Sequence, residues 1–250
     1  GADKYAPTEV WSHTQRQLVG MGGNWLQDQF SWKGGTARGD IFMKNIDHGN
    51  DRTDRAGDRV GRRRLPLIRP ALAALLTEHS VRTGTFTLAS GQTSDIYCDV
   101  KKTALLSEGA HLCGLGLHAL AREVAPEATG CGGLTLGADP LVTAMAIASQ
   151  LEERGEFGAI IVRKETKDHG TQRAMEIPNT LSSGAHIVAV DDTVTTGGST
   201  LKAIEALREA GFIVEHAVCV VDRDQGGTQR LADHGVTLHA LFSLDELRPE

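Results

Sequence analysis

The segment running from His186 to Thr200, His-Ile-Val-Ala-Val-Asp-Asp-Thr-Val-Thr-Thr-Gly-Gly-Ser-Thr, concentrates groups able to hold an anionic sugar. Gly197 and Gly198 let backbone amides close around an anion. Thr195, Thr196 and Ser199 add hydroxyl donors, and a helix starting near Ser199 adds the positive end of its dipole. No lysine follows the glycines, so the segment is not the nucleoside-triphosphate loop. Asp191 and Asp192 precede the cradle, and two adjacent carboxylates repel unless hydroxyls donate to them or a cation lies beside them. A ribose diol meets that need. Phosphate on one side and a diol on the other describe a ribose 5-phosphate, its anomeric carbon turned to an open cleft.

Two further sets of residues bear on what reacts there. Arg163, Lys164, Lys167 and His169 crowd potential cations into the stretch Arg163 to Gly170, an arrangement that repels itself until a polyanion such as diphosphate arrives. Arg223 lies in Val220-Val-Asp-Arg-Asp-Gln-Gly-Gly227, just past an apolar run. An arginine so placed either grips a ligand carboxylate with both arms or forms a surface pair with Asp222.

These residues need a scaffold, and hydropathy patterning supplies one. Helical periods cover Pro70 to His79, Ser107 to Glu123, Pro140 to Glu153 and Ser199 to Ala210. Strand-like runs cover Thr85 to Leu88, Gly130 to Leu136, Ala159 to Arg163, His186 to Val190 and Val214 to Val221. Alternating strands and helices predict parallel β-α-β units and an open sheet covered on both faces, with ligands beyond the carboxyl ends of the strands.

Residues 1–64 differ in character. All three tryptophans lie there, with glycine and alternating Asp and Arg, and no period is visible. The chain opens on Gly1, and Met43 is an equally good natural start, so this segment is expected to be an irregular, flexible N-terminal extension. Arg62 to Arg64, beside Asp51, Asp54 and Asp58, reads as a solvated arm. The expected domain spans 65–250, with a small cap over 65–105 and a core over 106–244.

A net charge of -6 argues against a protein that coats nucleic acid or an anionic membrane. No apolar run approaches the roughly 20 residues that span a bilayer, and the first residues show no basic start followed by an apolar stretch and a cleavage site, so a cytoplasmic setting is expected. Cys98, Cys113, Cys131 and Cys219 form no CxxC pair, which favours buried reduced thiols over a zinc site.

The strand, acidic pair and Thr/Gly turn resemble the signature of the type I phosphoribosyltransferases. That resemblance implies an α/β fold with a mainly parallel central sheet flanked by helices and a small N-terminal hood. It also implies 5-phosphoribosyl 1-diphosphate as donor, bound by Asp191, Asp192, Thr193, Val194, Thr195, Thr196, Gly197, Gly198 and Ser199. Mg²⁺ would be held mainly by substrate, with no strong direct protein ligand. The Lys-x-His-Gly ending of the cationic stretch is similar to the catalytic loop of the orotate phosphoribosyltransferases, in which Arg163, Lys164, Lys167 and His169 would act. Gly84 to Lys101, with Phe-x-Leu-x-Ser-Gly, resembles that family's hood. Tyr97, Thr195 and Arg223 would then meet orotate, Tyr97 by stacking. Some members carry lysine at Ala89, and Lys101 or Lys102 is a candidate replacement. The turn Gly133 to Pro140 lacks a lysine found in other members, leaving the amides of Gly137 and Ala138. The family implies a homodimer that shares loop 163–178 between subunits, and a place in de novo pyrimidine synthesis yielding orotidine 5'-phosphate. A transferase for another nucleobase, or a regulator that senses phosphoribosyl diphosphate, are the alternatives.

Overall fold

A computed structural model describes residues 57–87, 93–152, 157–164 and 175–249, with side chains from Leu65 onward except that of Thr87. The chain enters through helix α1 (Gly57–His79) and a hairpin of β1 (Val81–Thr87) and β2 (Thr93–Cys98). A short helix α2 (Lys101–Ala104) leads to α3 (Ser107–Val124). The core then alternates β3 (Gly130–Leu134), α4 (Asp139–Glu152), β4 (Gly158–Val162), β5 (Met175–Glu176), β6 (Ile187–Val194), α5 (Gly198–Glu209), β7 (His216–Asp222), α6 (Gly227–Ala232) and β8 (Thr237–Ser243). A 3-10 turn at Asp245–Leu247 follows.

The six core strands lie in the order β5-β4-β3-β6-β7-β8. All neighbours are parallel except the β4/β5 edge pair. Successive β6 residues feed opposite faces. Val188 and Val190 join the core under α1, α3 and α4, whereas Ile187 and Ala189 join the one under α5. That is the pattern of strands buried on both sides, as the continuous apolar runs predicted. All four cysteines are free and buried. Among the described residues, no helix is long and apolar enough to cross a membrane.

Sheet order creates the slot that a ligand needs. From β3 the chain winds outward through β4, and from β6 it winds the other way through β7 and β8, so the strand order reverses between β3 and β6. Their pairing runs only from Gly130↔Ile187 to Gly132↔Ala189. Beyond Ala189, β6 continues for Val190 to Val194 held only by β7, through Val194↔Asp222. The β6 strand was expected to end at Val190; the β7 ladder extends it and carries Asp191 and Asp192 to the open end, despite the poor strand propensity of aspartate.

The first helix also departs from expectation. Helix α1 begins at Gly57, inside the segment expected to be irregular, and Pro66 and Pro70 lie within it. The sequence signal began at Pro70 because proline favours a helix's first turn and because apolar periodicity starts only near Leu65. Arg69 then fastens α1 to the far edge: it donates to Leu241 O and to Glu246 Oε1, and its guanidinium lies 4.6 Å from the centroid of the Phe242 ring. In the hood, β1 and β2 pair with an irregularity between Thr83 and Phe86, and Arg248 donates to Asp95 at 2.7 Å, tying the hairpin to the chain's end.

Close helix packing sets a testable limit. A Cβ at Gly114 of α3 would lie 2.6 Å from Ala144 O, whereas one at Gly116 would meet side chains alone, Leu241 at 3.1 Å and Ile68 at 3.7 Å. Gly114→Ala should therefore cost about 1–3 kcal/mol by overpacking, lowering Tm by roughly 3–10 °C for a domain of this size. Gly116→Ala, which also gains about 1 kcal/mol of helix propensity, should stay near wild type. Thermal melts of both variants decide it, and equal Tm values would contradict the packing argument.

Candidate functional site

The open end of β6 gathers the acidic pair, and each carboxylate is met differently. Asp191, buried, accepts from Ser199 Oγ at 2.9 Å and Thr200 Oγ1 at 2.7 Å through one oxygen, and from the amide of Asp192 at 3.0 Å through the other. Burial pushes its pKa up to about 6, opposed by the Thr200 and Ser199 hydroxyls and reinforced by the charge of Asp192. Asp192 faces the cleft. Its Oδ1 accepts from the Thr193 amide at 2.8 Å and its Oδ2 from Lys101 Nζ at 3.1 Å.

The turn after β6 is shaped for an anion. Gly197 adopts φ 71°, a conformation glycine takes at little cost, and starts α5 with no side-chain cap on the first amides. Thr195 O accepts from the Gly227 amide and Val194 O from the Arg223 amide, so the loop after β7 backs the turn. A Cβ at Gly227 would lie 2.4 Å from Val194 Cγ1, which shows how closely the two loops meet. The side chain of Val194 is buried, so this residue offers backbone only; Thr196 and Ser199 are exposed.

Across the slot, the turn between β3 and α4 presses on the same carboxylate. A Cβ at Gly137 would stand 2.7 Å from Asp192 Cγ, so only glycine allows this approach. Of the two amides expected to face diphosphate, that of Ala138 is already donated to Leu134 O, at 3.4 Å. Asp139 Oδ1, in the first turn of α4, is buried without a partner among the described residues, and burial raises its pKa.

Arg223 completes the far wall. Its Nε and Nη2 are buried and have no hydrogen-bond partner among the described residues. It does not pair with Asp222, the bland alternative for this fragment: Asp222 instead accepts from the Asp224 amide at 3.0 Å and from Thr228 Oγ1 at 2.9 Å, closing its own loop. Burial pushes the Cys98 thiol on β2 up to about 11 while the field of Arg223 opposes it, so the guanidinium lies close enough to be felt across the seam between hood and core. Tyr97, next to Cys98, is 41% exposed, with its ring centroid 5.5 Å from that of Phe86.

The cationic stretch is described only in part. Arg163 pairs with Glu176 of β5, and Lys164 is exposed. Lys167, His169 and Ala89 lie outside the described residues. Thr200 was not chosen from sequence as a site residue, and Lys101 was offered only beside Lys102, as a replacement for the cation missing at Ala89 and not as a partner of Asp192. Thr200 was hidden by its place inside the helix, and Lys101 by the fact that only the hood's fold turns it, and not the exposed Lys102, toward Asp192. A separate group, Glu127, His186 and Glu215, brings potential metal-ligand atoms within 4.8 Å of one another, but at the opposite end of β6.

This architecture has known counterparts. Residues 139–241 match the phosphoribosyl transferase domain family. The orotate phosphoribosyltransferase of Thermosynechococcus vestitus is 43% identical over 180 residues, covering 72% of this chain and 93% of that protein. That of Aquifex aeolicus is 40% identical over 186 residues, covering 73% and 99%. Among solved structures, a phosphoribosyltransferase from Corynebacterium diphtheriae superposes with a TM-score of 0.62 at 35% identity, covering 72% of this chain and 98% of its own. The orotate phosphoribosyltransferase of Mycobacterium tuberculosis H37Rv in complex with 5-phospho-α-D-ribosyl 1-diphosphate gives 0.59 at 27% identity, covering 75% and 96%.

The raised pKa of Asp191 has a signed consequence. With a folded value of about 6 against 3.8 for the free side chain, the fold binds this proton more tightly than the unfolded chain does. Its contribution to stability is therefore full below about pH 4, is lost as pH rises to about 6, and is level above. Asp191→Asn removes that dependence. The Tm of the variant minus that of wild type should rise from pH 4 to 6 and then flatten, by at least the equivalent of about 1 kcal/mol. A difference constant from pH 4 to 8 would show that Asp191 is not perturbed.

Proposed function

The chain belongs to the orotate phosphoribosyltransferase family, and from that premise we propose that it transfers the 5-phosphoribosyl group of 5-phosphoribosyl 1-diphosphate to orotate. The products are orotidine 5'-phosphate and diphosphate, as in de novo pyrimidine synthesis. The observation that carries the choice of base is Arg223, whose buried Nε and Nη2 lack partners among the described residues, beside the ribose phosphate turn. Such a fork fits a carboxylate in two-point contact, and orotate bears one.

In this reading the 5-phosphate sits on the amides and hydroxyls of Thr195 to Ser199, and the ribose hydroxyls donate to Asp191 and Asp192. Orotate lies between Tyr97 and Arg223, reached also by Thr195. The bond from C1 to the diphosphate oxygen breaks with its electron pair leaving on diphosphate. An orotate nitrogen attacks the positive C1 and loses its proton. Arg163, Lys164, Lys167 and His169 stabilise the departing charge, and closure of the 163–178 loop excludes water, which would otherwise hydrolyse the donor.

Mg²⁺ fits this site as a substrate-borne ion. The oxygens of Asp191 and Asp192 already accept from Ser199, Thr200, Lys101 and two amides, leaving diphosphate, ribose and water as the natural ligands of an ion that prefers octahedral oxygen. Bound there, the ion would neutralise the diphosphate. Exposed Leu105 and Leu106, together with Ile147 and Leu151 one turn apart on α4, offer apolar surface for a second copy. This supports a homodimer in which loop 163–178 serves the neighbouring subunit. Diffusible substrates suit a cytoplasmic enzyme.

Diphosphate release from phosphoribosyl diphosphate with Mg²⁺ should depend on orotate and not on uracil or adenine. Lys167→Ala and Asp192→Asn should each lower kcat by about 100-fold, the scale of losing one charge-stabilising group. Arg223→Ala should raise the orotate KM by about tenfold or more with the donor KM nearly unchanged. Release with another base would keep the chemistry and change the substrate, and donor binding without turnover would mark a sensor.

A further inference from the structure

Lys101 stands where the hood meets the core. Its Nζ lies 2.9 Å from Asp99 Oδ1, just past β2, and 3.1 Å from Asp192 Oδ2 at the end of β6. The two carboxylates are largely withdrawn from water, at 20% and 14% exposure, while the lysine side chain remains 44% exposed. We propose that Lys101 is a positioning residue of the ribose site: its ammonium, shared by the hood's Asp99 and the core's Asp192, holds Asp192 in place for the ribose hydroxyls. The inference rests on the phosphoribosyl transfer reading above.

Three observations support it. Without the ammonium, Asp99, Asp192 and the adjacent Asp191 would crowd negative charge into one cleft, and among the described residues no other cation pairs with Asp99 or Asp192. Burial works against the charge of Lys101, but its bond to Asp99 and the field of Asp192 outweigh that and hold its pKa well above the ordinary lysine value, so the ammonium persists. Asp192 is also steadied by the Thr193 amide and walled by Gly137, which leaves lone pairs on its oxygens for a diol. Asp99 is fixed in turn, since its amide donates to Ser80 O at 3.0 Å and its Oδ1 accepts from the Lys101 amide at 3.3 Å. Lys101 therefore joins the strand that carries Tyr97 to the strand that carries the ribose carboxylates. A half-exposed lysine of this kind contributes little to global stability, so its effect belongs in ligand binding.

Calorimetric titration of phosphoribosyl diphosphate into wild type, Lys101→Met, Lys101→Arg, Asp192→Asn and the Lys101→Met/Asp192→Asn double variant tests this. Lys101→Gln serves as a second neutral replacement, and melts report folding. Loss of the ammonium should weaken binding about tenfold or more with Tm nearly unchanged, and arginine should recover most of it. In the Asp192→Asn background the same change should cost less than about twofold, because the partner is already neutral. Wild-type affinity in both neutral variants, or an equal loss in both backgrounds, overturns the role given to Lys101 alone. A wild-type chain that does not bind the donor overturns it together with the functional reading.

Discussion

Two adjacent carboxylates at the end of a buried strand must each find donors, and much of this molecule's polar architecture answers that requirement. Asp191 turns inward and is met by Ser199 and Thr200 from the first turn of α5. Asp192 turns outward and is met by Lys101 from the hood. A helix that starts two residues earlier or later would leave Asp191 unmatched in the core, where an unpaired charge is costly. The acidic pair thus fixes the start of α5, and the start of α5 fixes the amides that would receive a phosphate.

The reversal of strand order supplies the room. Because β3 stops pairing with β6 at Ala189, the last five residues of β6 have no ladder partner on that side, while β7 holds the other. Gly137 brings the turn after β3 against Asp192, and Gly227 brings the loop after β7 against Val194. Both approaches exclude any larger side chain at those positions. In the same loop the Arg223 amide donates to Val194 O at the end of β6, so this residue, whose Nε and Nη2 have no partner among the described residues, is anchored relative to the phosphate turn. Ribose and base walls are thereby built from neighbouring strands whose spacing the sheet sets.

Much of this was legible in the residues themselves. The apolar run ending in Asp191-Asp192 and the Thr/Gly turn announced strand, acid pair and cradle, and α3, α4 and α5 were placed within a residue at each end, whereas α1 was read only from Pro70 onward. Less was legible where the signal is short or shared. β5 has two residues and α6 has six, too few for a period to register. β8, an edge strand with the partly buried Thr-Leu-His-Ala pattern at its start, does not read as an apolar run. Lys101 carries no local mark of its role, since its partner Asp192 lies 91 residues away and only the packing of hood on core brings them together. Asp222 was equally opaque: the choice between pairing Arg223 and closing its own loop is settled by Thr228 and a backbone amide.

The central claim is that one cleft, bounded by β6, β7 and the hood, holds phosphate, ribose and an acidic base in that order. A crystal structure with orotidine 5'-phosphate tests it most directly. The account predicts phosphate oxygens on the amides of Thr195 to Ser199, ribose hydroxyls on Asp191 and Asp192, and the base carboxylate in two-point contact with Arg223. A nucleotide bound with its carboxylate away from Arg223, or with its ribose clear of the acidic pair, would contradict the account.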